Sequence, residues 1–235
     1  MAAKNWEPFI KLAGRIAIYG ASGSGKTHFL LSQILRRDDN PLSAIIWLAP
    51  SFSLEQKEIA EMAKAGALVT HGGKHHIAFK TVAADADGWE EKTEATLRKA
   101  KAAGLKVCVV LDDLLALRGK QRAFLVNLYT AGRHMSVDLL VEMSQRIFGG
   151  ADSRTCRLNC SHQIVGRLGG PSEFTALARQ LFPDKKKRDA VVKAYETVTA
   201  SNPHAFLWLD TSAKAAGDED LEIRTGYDEC VELEM

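Results

Sequence analysis

The sequence predicts an α/β fold with a mainly parallel central sheet flanked by helices. Three observations predict it. Short apolar runs alternate along the chain with stretches of helical periodicity, the order that builds parallel strands joined by crossover helices. The first run, 15–19, opens into a glycine-rich turn and then a helical pattern. The most apolar run, 106–111, lacks polar alternation, as a strand buried on both faces should. It ends in two acids, Asp112 and Asp113.

Each element follows from its local pattern. The strand at 15–19 leads through the turn into a helix over about 25–37, stopped before Asp38 and Pro41. A strand at 44–48 ends before Pro50. Ser53 and Gln56 have capping-box spacing and predict a helix over 53–65, with Gly66 as its C-terminal stop. Residues 67–87 hold two β-like pieces, 67–70 and 77–81, around the polar loop 72–76. A charged helix is expected at 89–103, the apolar strand at 106–111, a helix at 121–131 and a strand at 137–143. A short helix at 152–158, a strand at 163–168, helices at 171–182 and 185–199 and a strand at 205–209 follow. The remainder is read as an edge hairpin or a loose end.

Length bounds the organisation. A chain of 235 residues suits one domain that buries roughly 70% of its unfolded surface. We expect one unit over 1–235, its core at about 14–210 and an acidic tail at 217–235. Hydrophobic residues at 46% and charged residues at 26% exclude a disordered chain or a disulfide scaffold. No apolar run reaches the ~18 residues of a membrane span, so no transmembrane segment is expected. The first residues lack a secretory apolar stretch. Four irregularly spaced cysteines fit a reducing compartment, and a cytoplasmic location is expected. Net charge is only +2, but the tail holds eight acids against Arg224. A basic body with an acidic end hints at a polyanionic partner, or is simply a solvated surface.

The turn after the first strand carries the chemistry. Gly20, Ala21, Ser22, Gly23, Ser24, Gly25, Lys26 and Thr27 match the phosphate-binding pattern G-x-x-x-x-G-K-[ST] in full. Glycines let the backbone wrap a phosphate with successive N–H groups turned inward. Lys26 can reach the β- and γ-phosphates of ATP, and the Thr27 hydroxyl can bind Mg²⁺. The acids closing 106–113 supply the second half of such a site, because ligands of open α/β sheets bind at the strands' C-terminal edge. Asp112 is the candidate metal ligand, and Asp113 the candidate group that orients or deprotonates the attacking water. Two adjacent acids favour an ATPase over a nucleotide kinase. Gln145, at the tip of the next strand, is a candidate sensor of the γ-phosphate; the plain alternative is a solvated strand end. Arg133, in Gly132-Arg133-His134, either sits in solvent or reaches a neighbouring subunit's nucleotide.

In combination these residues resemble the FtsK–HerA superfamily of DNA-pumping ATPases, and within it the viral genome-packaging branch of poxvirus-type and membrane-containing icosahedral viruses. The matching pieces are 18–27, 109–113, Gly132-Arg133-His134, Ser144-Gln145 and Arg157-Leu158-Asn159. They span about 14–168, and the last 65 or so residues carry no motif. The resemblance implies a RecA-like P-loop core in a homo-oligomeric ring, pentameric or hexameric. It implies ATP hydrolysis with Mg²⁺ at subunit interfaces and double-stranded DNA held without regard to sequence. It further implies capsid or portal-vertex partners, and a place in the host cytoplasm and at the virion packaging vertex. Within it Gln145 becomes the sensor and Arg133 a trans-acting arginine finger, with Arg154 and Arg157 as rivals. One departure is Asp113, where superfamily members often carry Glu.

Other features have two readings each. The basic run 184–188 lines a DNA channel or merely starts a helix. His75 and His76 touch a partner or lie in a plain loop. Cys156, Cys160 and His162 have no clear fourth ligand for zinc. Trp47, Phe206 and Trp208 read as core. The competing functions are another P-loop DNA motor, of plasmid-transfer or helicase-loader type, and a P-loop nucleotide kinase.

Overall fold

The computed structural model describes residues 14–114, 119–148, 153–211, 223–226 and 231. Among the described residues its framework is a nine-stranded sheet in the order β3-β4-β2-β5-β6-β1-β7-β8-β9. The strands are β1 (Arg15–Tyr19), β2 (Ala44–Ala49), β3 (Ala67–Val69), β4 (His76–Ala83), β5 (Val107–Asp112), β6 (Leu139–Ser144), β7 (His162–Val165), β8 (Leu207–Asp210) and β9 (Ile223–Arg224). From β4 to β7 every neighbouring pair is parallel; β3, β8 and β9 pair antiparallel at the two edges. This is the expected α/β architecture. Its parallel strands all finish at one edge, so the turn after β1, the acids after β5 and the tip of β6 emerge side by side.

Burial on both faces explains the unbroken apolar runs. Ile16 and Ile18 of β1 point to one face, with Ile45 and Trp47 of β2. That face is covered by α1 (Lys26–Phe29), which runs directly into a π-helical segment (Leu30–Leu35), and by α3 (Lys57–Ala65). Ala17 and Tyr19 point to the other face. There α4 (Trp89–Ala102), α5 (Gly119–Ala131), α6 (Ser153–Leu158), α7 (Pro171–Leu181) and α8 (Lys185–Ser201) close a second core. Fully burying one of these large apolar side chains stabilises by about 1.5–3 kcal/mol. Among the described residues no helix is long and apolar enough to cross a membrane.

Several expectations need correction. The helix expected over 25–37 is α-helical only to Phe29 and π-helical to Leu35. The helix expected over 53–65 is two helices, α2 (Ser51–Leu54) and α3. No capping box forms: Gln56 is itself the cap of α3, extended at ψ 128°, with no side-chain cap bond. The cause is Asp85, whose carboxylate accepts from the Ser51 amide (3.0 Å) and hydroxyl (2.6 Å). That anchor starts a helical turn two residues early, and the chain must re-extend before α3. The ambiguous stretch 67–87 contains the antiparallel hairpin β3–β4. The strand expected at 137–143 is shifted to 139–144, because the Asp138 carboxylate accepts the Val107 amide (2.7 Å) and holds that residue as a bracket between strands. The strand expected at 163–168 stops at Val165, and the one at 205–209 lies at 207–210. All eight acids of the tail, and Asp152, lie outside the described residues.

Candidate nucleotide-binding site

The turn from Gly20 to Gly25 is sewn to both strands beside β1. The Gly20 amide donates to the Ser144 carbonyl (3.1 Å), and the Ala21 amide to the Arg167 carbonyl (2.8 Å). Gly25 takes a left-handed backbone (φ 91°), which a side chain would strain, and the helix begins at the next residue. The Lys26 ammonium folds back over the loop and donates to the Gly20 carbonyl at 2.8 Å and the Ala21 carbonyl at 3.4 Å. Burial lowers the Lys26 pKa; the charges of Asp113 and Asp112 oppose that shift. Thr27 is half-buried on the first turn.

The acids differ in environment. Asp112 ends β5, is 5% exposed, and its Oδ2 accepts from the Trp47 indole (3.3 Å). Burial and then the adjacent Asp113 charge push its pKa up to about 6, against the indole bond and Lys26. Asp113 leaves the strand in the left-handed region (φ 52°). Its Oδ1 accepts the Gln145 amide (3.2 Å) and its Oδ2 the Gln145 side-chain NH₂ (3.1 Å). The second acid and the sensor candidate are thus clamped to one another. The order β5-β6-β1 brings this about: β6 lies between the two motif strands and presents its tip between their ends.

Beneath the tip, Glu142 is buried and accepts a hydrogen bond from the Tyr129 hydroxyl on α5. Burial raises the Glu142 pKa. No sequence pattern signals this pair, which ties β6 to α5. Two further participants were also unforeseen. Trp47 is core, as read, yet donates to Asp112. His204, in the turn before β8, contacts the Ser24 carbonyl through Nδ1 (3.3 Å).

The arginines fall elsewhere. Arg133 is exposed in the turn that precedes β6, at the sheet edge opposite the P-loop. The Arg15 guanidinium at the start of β1 is within its electrostatic reach. Six residues of β6 at ~3.3 Å each separate it from its own P-loop by about 20 Å. Gly132 before it cannot be replaced there, since a Cβ would overlap the Leu128 carbonyl oxygen. Arg157 is 5% exposed; it donates to the Ile147 carbonyl (2.9 Å) and Gln180 Oε1 (3.1 Å) and stacks on Phe148 at 4.5 Å. Arg154 is exposed on α6. The basic run begins α8, with Asp184 accepting the Lys187 amide as its cap (2.7 Å).

No protein-family model matches the chain, and no curated protein matches it in sequence. Solved structures do match. The genome packaging NTPase B204 from Sulfolobus turreted icosahedral virus 2 in complex with AMPPCP superposes with a TM-score of 0.59 at 14% identity, over 90% of this chain and 96% of that one. The DNA-packaging ATPase B204 from Sulfolobus turreted icosahedral virus gives 0.59 at 18% identity, over 91% and 98%. The chain shares its fold with B204. The complex of B204 with ATP-gammaS gives 0.58 at 13% identity. These neighbours are packaging NTPases, the kind that the sequence motifs resemble, and the first two matches cover nine-tenths of this chain.

The residues fit a nucleotide and its metal. The loop is a glycine-lined cradle, and the buried Ser24 hydroxyl in it has no hydrogen-bond partner among the described residues. The Thr27 hydroxyl and Asp112 carboxylate are hard oxygen donors, the set that Mg²⁺ takes.

Proposed function

We propose that the chain is an ATPase that drives double-stranded DNA and packages a viral genome, working as one P-loop domain. The observation that carries the reading is the meeting of Lys26, Asp112, Asp113 and Gln145 at one sheet edge. Lys26 would exchange its loop carbonyls for phosphate oxygens. Asp113, held by Gln145, would orient the attacking water and take its proton. Thr27 and Asp112 would hold Mg²⁺, which neutralises charge on the transferring phosphoryl group. Gln145 reports the state of the γ-phosphate through the hydrogen bonds it trades with Asp113. Arg133 lies too far from its own P-loop to act there, so its catalytic use requires a homo-oligomeric ring in which it meets a neighbour's nucleotide. The basic run that starts α8, with Lys185 and Lys186 exposed, is the candidate contact for DNA phosphates, which demand charge and no base reading. Docking at a capsid vertex, after assembly in the host cytoplasm, completes the reading.

The test is phosphate release by the full chain. Unrelated duplexes should accelerate it equally, and the effect should fall steeply as salt rises. Lys26→Ala should abolish release while circular dichroism stays unchanged. Indifference to DNA, preference for one sequence, or a flat salt response would overturn the motor reading. Normal turnover by folded Lys26→Ala protein would overturn the site.

A further inference from the structure

A carboxylate that binds a metal must offer a lone pair in a fixed direction, yet an unrestrained one turns broadly about its last bond. Asp112 is restrained. Its Oδ2 accepts the Trp47 indole N–H at 3.3 Å, and its Oδ1 accepts no hydrogen bond among the described residues. The donor cannot move aside. Trp47 is fully buried in β2 and packs on Phe79, with ring centroids 6.0 Å apart. Strand register supplies the reach. Trp47 stands opposite Val110, two residues before Asp112, so both side chains leave the same sheet face. Burial alone does not bring an indole to an acceptor in this protein. Trp89 is as deeply buried on the other face, and its Nε1 has no hydrogen-bond partner among the described residues.

We infer that Trp47 is a positioning residue for the metal: its N–H occupies Oδ2 of Asp112, fixes the plane of the carboxylate and reserves Oδ1 for Mg²⁺. The inference rests on the ATPase reading and adds a residue that the motifs leave in the core. The choice of side chain has a chemical reason. An indole N–H is a donor only, with no charge and no ligating lone pair. A lysine in its place would repel the cation, and a hydroxyl or amide oxygen could compete to bind it. The indole steers the acid and leaves the cation alone. A carboxylate already held at one oxygen also loses less freedom when the other is engaged, so the metal meets a preorganised ligand.

The experiment measures, by calorimetry on the full chain, the affinity for the non-hydrolysable ATP analogue AMPPCP in saturating Mg²⁺ and in EDTA. The ratio of the two is the gain due to the metal. It should exceed ~10-fold in the wild type, and Trp47→Phe should lose most of it, the scale for removing a partner of a ligating carboxylate. Affinity of Trp47→Phe in EDTA should stay within about twofold of wild type, because the P-loop is untouched; this also certifies the fold. Trp89→Phe, which removes a buried indole of the other face, should keep the full gain. A retained gain in Trp47→Phe, equal loss in both variants, or no gain in the wild type overturns the inference and leaves the P-loop reading intact. Failure of the wild type to bind AMPPCP at all overturns both. Should Trp47→Phe not fold, the spectrum of ¹⁵N-tryptophan-labelled wild type decides. Asp112→Asn should displace one of its four indole signals, and Mg²⁺ added to the AMPPCP-loaded wild type should displace the same one. An Asp112-linked indole signal indifferent to Mg²⁺ overturns the inference.

Discussion

Asp113 occupies a backbone region that costs a non-glycine residue on the order of 1 kcal/mol. The return is aim: leaving the strand at that angle sets its carboxylate against Gln145. Asp113→Asn should keep the fold, because Asn tolerates left-handed φ. We expect nucleotide affinity nearly unchanged and turnover lower by ~10² or more, the scale for loss of a positioned base. Parallel titration and turnover assays check this; equal loss of both would make Asp113 a metal ligand instead. Asp112 predicts a pH dependence. Its folded pKa of about 6 lies above the ordinary 3.8. Between those values the unfolded chain is ionised while the folded carboxyl still holds its proton, so ionisation favours unfolding. Stability should therefore fall as pH rises from about 4 to about 6 and stay lower above it. Asp112→Asn removes that loss, worth roughly 2–3 kcal/mol at 1.4 kcal/mol per pKa unit. Thermal melts of the nucleotide-free chain should show the Asp112→Asn variant more stable than wild type at pH 7.5 and no different at pH 4, although it is inactive. A variant less stable than wild type at pH 7.5 would show the indole bond to outweigh the burial of charge.

At the scale of elements, what the sequence made legible is what periodicity and local chemistry dictate. Strands β1, β2 and β5 were readable because burial on both faces demands unbroken apolar runs. The P-loop was readable because a phosphate cradle needs glycines and a lysine at fixed spacing. The π-helical segment was not, since Leu30, Leu31, Ile34 and Leu35 fall on one side in either helical register. Nor was the break before α3, which depends on Asp85, distant in sequence from Ser51. Register decides the Trp47 contact. Leu48 pairs with Leu111, so the side chains of Trp47 and Asp112 meet at the end of two strands whose alignment no single-strand pattern reveals. The same holds for His204, which meets Ser24 across 180 positions, and for Tyr129 on α5 with Glu142 on β6. The motif residues read from spacing lie at the C-terminal ends of β1, β5 and β6; residues recruited by tertiary contact were invisible until the sheet order was known.

For the molecule as a whole, the two sheet edges differ in what they carry. One carries the candidate nucleotide site. The other carries Arg133 and, one 17-residue helix below His204, the basic start of α8. Such a split suits a ring in which one subunit's far edge faces the next subunit's nucleotide. Subunit mixing tests it. Arg133→Ala and Lys26→Ala proteins should each be inactive alone. Mixed rings should regain partial phosphate release wherever an intact arginine faces an intact P-loop, because such a finger is worth ~10³-fold or more. Absence of recovery in verified mixed rings would move the role to Arg154, since Arg157 is enclosed by its own partners. The seams that hold the P-loop carry a consequence for synthesis. Its Gly20 and Ala21 amides are satisfied by carbonyls 124 and 146 residues downstream, at Ser144 and Arg167. A ribosome therefore emits the loop long before it emits the strands that shape it. Until β7 and Arg167 have left the exit tunnel, the nascent chain carries the full glycine-lysine motif with no cradle, and nucleotide cannot act as its folding template. Capture of ATP is a late event, reserved for chains whose sheet has already closed around β1.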